Sequence, residues 1–258
     1  MKTLSALVLS ATLLAVPAAA QVTIIQKTSG KAMGRDMSGD ATIYIKGTKM
    51  RTDQTMGGKK MSVIIDAGTQ QMTMIDHDKR EATVTDMRKI TQDLAKIEAA
   101  DVKATMSATG ERRTVAGQSC AVHNMDVRVP AKVGQSGDDL IVVMKGPVCL
   151  AKGGPGAADY LAFYKAAAEK GLFFTDPRAA KAQPGQARGM TELYRQMADK
   201  GVAYATELEF RFEGSGMMAG MMNKVGAMTM KSEVVSASGS PIDDSVFAVP
   251  AGFKTKTQ

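Results

Sequence analysis

The chain has no tryptophan, only two histidines and only two cysteines in 258 residues. Each scarcity excludes a class of chemistry. Zinc sites usually gather three or four Cys, His or carboxylate ligands, and His77 and His123 stand far apart in the sequence. Redox exchange favours a C-x-x-C pair, but Cys120 and Cys149 are widely separated. No G-x-S-x-G nucleophile turn, phosphate loop or dinucleotide fingerprint occurs. Lys and Arg are interspersed with Asp and Glu despite the net charge of +7, and no basic run marks a nucleic-acid face. Beyond residue 20 no apolar run approaches the ~20 residues of a membrane span. The expectation is a protein that is not an enzyme, with no cofactor, no nucleic-acid partner and no membrane span.

What is present begins with a leader. Lys2 supplies a positive start, Leu4 to Val16 an apolar core, and Ala18-Ala19-Ala20 a small-residue cleavage site before Gln21. Residues 1–20 read as a secretory signal peptide, and no cysteine follows it to take a lipid anchor. Residues 21–258 are expected in the periplasm or outside the cell, as a single β-rich domain. An oxidising compartment favours a structural disulfide between Cys120 and Cys149.

Hydrophobic periodicity then predicts the layout. From Val22 to Asp86 short alternating runs recur between turn residues: Ala41–Lys46, Met50–Met56, Met61–Asp66, Gln71–Asp76 and Ala82–Thr85. This reads as an antiparallel meander. Met87, Ile90, Leu94 and Ile97 recur at three and four, which predicts a helix over 86–101 with Asp86 as N-cap. Strands resume over 105–115, 120–129 (closed by Pro130), 140–144 and 147–150. Residues 152–200 form a helical insertion with helices over 157–170 and 190–200, separated by a loop over 175–189 rich in Pro, Gly, Ala and Arg. Tyr204, Thr206, Leu208, Phe210 and Phe212 alternate with charged residues as a half-buried strand; 214–226 reads as a loop, and 227–236 as a strand. The fold class is α+β: a curved antiparallel sheet covered by a helix and a two-helix insertion.

A sheet with one apolar face must cover it. The insertion helices either cap a filled core or form a lid over a cavity for a lipid or other lipophilic ligand. The side chains that would line such a cavity are Tyr160, Leu161, Tyr164, Leu193, Met197, Leu208, Phe210 and Phe212. Methionine is abundant, with 20 copies, and densest at Met217, Met218, Met221 and Met222. Thioethers select Cu(I), but methionine also fills irregular cores and adaptable apolar surfaces. His77 reads as a solvated turn residue and His123 as a satisfied core residue.

Several stretches resemble an exported bacterial family catalogued as a domain of unknown function. They are Ile45-Lys-Gly-Thr-Lys-Met-Arg-Thr-Asp53, Gly171-Leu-Phe-Phe-Thr-Asp-Pro-Arg178, Ala182-Gln-Pro-Gly-Gln-Ala-Arg-Gly-Met-Thr-Glu-Leu-Tyr194 and Phe247-Ala-Val-Pro-Ala-Gly-Phe253. The likeness extends over nearly all of the chain after the leader and assigns no functional residue. More distantly, the opening G-x-K-M-R and the terminal F-x-V-P-x-G-F look like lipoprotein carriers of the LolA-like half-barrel type. That resemblance implies a sheet wrapped round an apolar cavity, with helices as a lid. A lipid ligand is the function it implies; a structural or interaction protein of the cell envelope, with an envelope protein as partner, is the separate alternative.

Overall fold

In the computed structural model the described residues are 21–32, 35–96, 102–133, 138–172, 177–182, 184–198, 200–214, 217–225 and 228–258. Residues 1–20, the expected leader, lie outside them. The first half carries β1 (Gln21–Ala32), β2 (Arg35–Asp36), β3 (Gly39–Lys46), β4 (Lys49–Met56), β5 (Lys59–Asp66), β6 (Gln71–Asp76) and β7 (Glu81–Asp86), then α1 (Arg88–Ala95). The second carries β8 (Lys103–Val115), β9 (Gln118–Val133), β10 (Asp138–Ala151), α2 (Ala157–Glu169), α3 (Pro177–Ala182), α4 (Pro184–Ala198) and β11 (Val202–Gly214). It ends with α5 (Met217–Val225), β12 (Met228–Ser238), a 3₁₀ turn (Asp244–Phe247) and β13 (Lys254–Thr257).

These strands form one open sheet in the order β13-β7-β6-β5-β4-β3-β1-β12-β11-β10-β9-β8, with β2 paired to β1. All pairings are antiparallel except β13 on β7. The expected meander is present, because each alternating run ends at residues that suit a tight turn. Gly57 and Gly58 both have positive φ (57° and 77°) where Met56 pairs with Lys59. A two-residue hairpin whose turn needs positive φ at both central positions takes glycine there without steric cost.

The register assigns two faces. Val22, Ile24, Ile43, Ile45, Met50, Ile65 and Met72 point to one side and pack with Met87, Ile90 and Leu94 of α1 and with Phe163 and Ala167 of α2. This is the inner face. Ile64, Ile75 and Ala82 point to the outer side, where Val249 and Phe253 of the C-terminal segment cover them.

Several elements differ from the sequence reading. Pro130 does not close its strand: β9 runs on to Val133, with Pro130 opposite Ile141. Among the described residues the ladder to β8 on the other flank stops at Lys103 opposite Arg128, two residues short of the proline. The pieces 140–144 and 147–150 are one strand, β10. Gly146 has φ 148°, and a Cβ there would stand 1.9 Å from the Glu207 carbonyl oxygen of β11. Where a loop was expected over 175–189, the described residues are helical, in α3 and the first part of α4. Pro177 and Pro184 are the first described residues of α3 and α4. The expected loop over 214–226 holds α5. The N-cap of α1 is Met87; Asp86, one residue earlier, accepts from the Arg88 amide at 3.0 Å. Residues 97–101, the end of the expected first helix, lie outside the described residues.

Cys120 and Cys149 form a disulfide with Cα atoms 5.3 Å apart, joining β9 to β10, and both are buried. Among the described residues no helix is long and apolar enough to cross a membrane. The closed loop spans 29 residues, for which chain entropy gives about 3–4 kcal/mol. Replacing both cysteines by alanine should lower the unfolding free energy by about that amount, read from urea denaturation at pH 7.5.

Candidate functional site

The inner face of β8–β12 carries an apolar wall built by register. Met106 lies opposite Met125, Val127 opposite Met144, and Met144 opposite Phe210, which faces Met228 on its other flank. One step along, Val129, Val142 and Phe212 stand in a row; Leu208 pairs with Met230. The floor of this wall is closed, with Val127 and Val129 at 0% and 1% exposure. Its other members differ. Met106, Val142, Met144, Leu208, Phe210, Phe212, Met228 and Met230 are all half-buried. Met190 of α4 packs on the same cluster.

Leu208, Phe210 and Phe212, chosen from alternation alone, therefore share one face. Tyr160, Leu161 and Tyr164 lie elsewhere: they sit on α2 and pack against the main core. The Tyr160 and Tyr164 rings stack at 4.3 Å between centroids, and Phe163 meets Tyr164 edge-on at 5.6 Å. Burial pushes the Tyr160 phenol well above its ordinary pKa and Tyr164 up to about 12, and it also raises Tyr194 of α4. Each of the three still keeps part of its surface accessible. Leu193 and Met197 belong to α4, but their side chains lie outside the described residues. The eight expected lining residues thus divide between a helix layer and a sheet wall.

The methionine group falls on α5 rather than in a loop. Helical spacing sets Met217 one turn from Met221 and Met218 one turn from Met222. Met221 is 56% exposed and Met222 half-buried, and the side chains of Met217 and Met218 lie outside the described residues. Among the described residues no group of three His, Cys, Asp or Glu side chains is placed to hold a metal ion. His123 is half-buried, with Nδ1 3.1 Å from the Ala121 carbonyl.

The sequence reading missed a polar network on the outer face. Arg51, 9% exposed, donates through Nε to Asp53 at 2.6 Å and through a terminal nitrogen to the Val246 carbonyl at 2.8 Å. Its other terminal nitrogen reaches Ser62 Oγ at 3.3 Å. Ser62 donates to Asp53 at 2.5 Å and lies 2.7 Å from His77 Nε2. Because the serine proton goes to Asp53, the contact requires Nε2–H of His77 to donate. His77 also meets the Phe253 ring edge-on at 5.6 Å. It is thus half-buried in a network rather than solvated in a turn. The C-terminal segment runs across this face: Ile242 donates to the Gln21 side chain, Lys46 pairs with Asp244 at 2.8 Å, and the Phe253 ring lies under Arg80. Ser62 is fully shielded from solvent, and its carboxylate contact is direct rather than through the histidine. The cluster ties the C-terminal segment to β4 through the Arg51–Val246 hydrogen bond. The only legible sign of it was that Arg51, Asp53 and Phe253 fall within stretches singled out for their family likeness.

Residues 29–129 match the model of a family described as a domain of unknown function (DUF4412). No curated protein matches the chain. The matched segment runs from within β1 into β9 and contains Arg51, Asp53, Ser62 and His77. Of the four stretches that carried the likeness, only 45–53 falls inside it.

Burial, with the charges of Lys60 and Arg51, pulls the His77 pKa below its ordinary 6.5, against the opposing pull of Asp53 and Asp78. Below that ordinary value the unfolded chain binds a proton that the folded chain resists, so stability falls as pH drops. Urea midpoints of the native protein should decline from pH 7.5 to 5.5. His77→Gln retains an N–H donor for Ser62 and should flatten that slope; an unchanged slope would place its origin elsewhere.

Proposed function

We propose that this is an exported, non-catalytic binding protein for a lipid or another apolar or amphipathic envelope ligand, held between the inner sheet face and the helical layer. The observation that carries this reading is the half-buried wall of Leu208, Phe210, Phe212, Met144, Met228 and Met230. A face filled by its own helices closes its large apolar side chains off from solvent, as Val127 and Val129 are closed. Apolar surface left accessible gains about 25 cal/mol per Å² when an apolar group covers it. Methionine suits such a wall, because its unbranched, polarisable chain re-packs around differently shaped ligands. An open sheet with helices on one face also resembles the LolA-like half-barrels, which hold acyl chains; fold likeness supports the reading without fixing the ligand. The leader and the Cys120–Cys149 disulfide favour the periplasm or the exterior as its place of work.

Native mass spectrometry of the protein purified gently from the envelope fraction tests this. Extra mass in the range of a lipid, lost on denaturation, is the expected result. Phe210→Asp, which puts a charge on the wall, should lose that mass at least tenfold relative to the native protein while circular dichroism and the disulfide are retained. A bare mass in the native protein, with no uptake of added lipid, would refute the reading.

A second reading rests on α5, where two methionine pairs lie one helical turn apart. Thioethers so spaced suit Cu(I). Changing Met217, Met218, Met221 and Met222 together to Leu keeps the apolar volume and removes the sulfur. If the helix binds copper, Cu(I) affinity in a competition titration should fall at least tenfold; unchanged affinity removes this alternative.

A further inference from the structure

An apolar recess lies at the opposite end of the sheet from that wall by strand order, where β7 meets α1 and α3. It has a volume of about 700 Å³, within the range of small-molecule sites. Ile90 and Leu94 of α1, Pro177 and Ala180 of α3, and Pro184 at the start of α4 form its apolar lining. Five strands separate β7 from β12, so this groove is distinct from the wall described above.

Four charged side chains also line it: Asp86, Lys89, Asp93 and Lys181. The two acids are neutralised locally. Asp86 accepts from Arg88 at 3.0 Å and 2.5 Å, which holds its carboxyl down at about pKa 2, and Asp93 pairs with Lys96 at 3.6 Å. Lys89 and Lys181 have no ion-pair partner among the described residues. Both are exposed, one on α1 and one on α3. The groove thus joins an apolar lining to two uncommitted positive charges. Lysine stems lie along apolar surface while their ammonium groups stay in water, the geometry needed at the boundary between a buried chain and a solvated head.

We propose that this groove binds a medium-chain fatty-acid carboxylate, with its chain along Ile90, Leu94, Ala180 and Pro184 and its head between Lys89 and Lys181. A helical peptide is a poorer occupant. A helix is about 10–12 Å across, so two turns of one would exceed the volume. A neutral amphiphile would leave both ammonium groups without a counter-charge, and a cationic one would be repelled.

Isothermal titration of the delipidated full chain with dodecanoate and with dodecan-1-ol, each below its aggregation limit, tests the assignment. Dodecanoate should bind at least tenfold more tightly than the alcohol. The double variant Lys89→Met, Lys181→Met should weaken dodecanoate about tenfold and leave the alcohol unchanged. Both positions are exposed, and circular dichroism with urea unfolding verifies that the variant is folded. Equal affinity for acid and alcohol, or a double variant that binds dodecanoate as the native protein does, overturns the proposal. Dodecanoate binding lost in Phe210→Asp and kept in the lysine variant would also overturn it, while leaving the ligand at the apolar wall.

Discussion

The structure depends on β1. This strand pairs with β3 on one side and β12 on the other, so residues close to the start of the sheet join its two halves. Without it the meander β3–β7 and the group β8–β12 would each end in an open edge of unpaired backbone groups, which is costly and prone to misassociation. Val22 and Ile24 are almost wholly buried in the main core, and the Gln21 side chain receives the Ile242 amide. A single strand thereby orders the sheet, seeds the inner core and anchors the outer C-terminal segment.

A sheet of this width has two faces to cover, and the chain covers them by different means. Helices α1 and α2 pack on the inner face. The outer face of β4–β7 is covered by an extended segment that has little apolar bulk of its own, chiefly Val249 and Phe253. It is held by side-chain hydrogen bonds to its carbonyls and amides: from Lys46 to Ile242, from Arg51 to Val246, and from Ile242 to Gln21. Asp53 balances the Arg51 charge, and Ser62 and His77 satisfy the remaining valences. Buried charges are tolerated when they are paired and hydrogen-bonded in this way.

The asymmetry of covering has a functional consequence. The outer face of β5–β7 is closed over Ile64, Ile75 and Ala82, whereas the inner wall of β8–β12 keeps half-buried apolar side chains and a recess opens between β7 and α1. The disulfide lies in the half that carries the wall, tying β9 to β10. A cross-link there restrains strands whose inner side chains are not all fixed by packing. Accessible apolar surface on a cross-linked sheet is what the proposed binding role draws on.

Much of this was determined by the sequence alone. Alternating runs ended by turn residues such as Gly47, Gly57-Gly58 and Ala67-Gly68 read as half-buried strands with tight turns, so β3 to β7 were legible to within a residue or two at most ends. The two cysteines, in a chain expected to be exported, implied their bond. Leu208, Phe210 and Phe212 shared a face because side chains two apart always do. The rest was decided by tertiary structure. Proline and glycine over 175–189 suggested a loop, yet α3 and α4 form because their helices pack on one another, on α1 and on the core, and propensity is a weak prior against such burial. The Arg51–Asp53–Ser62–His77 network was not readable, since it depends on three strands in register and on carbonyls almost two hundred residues away. Whether the inner face is filled or left accessible was equally beyond reach. Local periodicity fixes which way a side chain points, and only the assembled layers fix what stands opposite it.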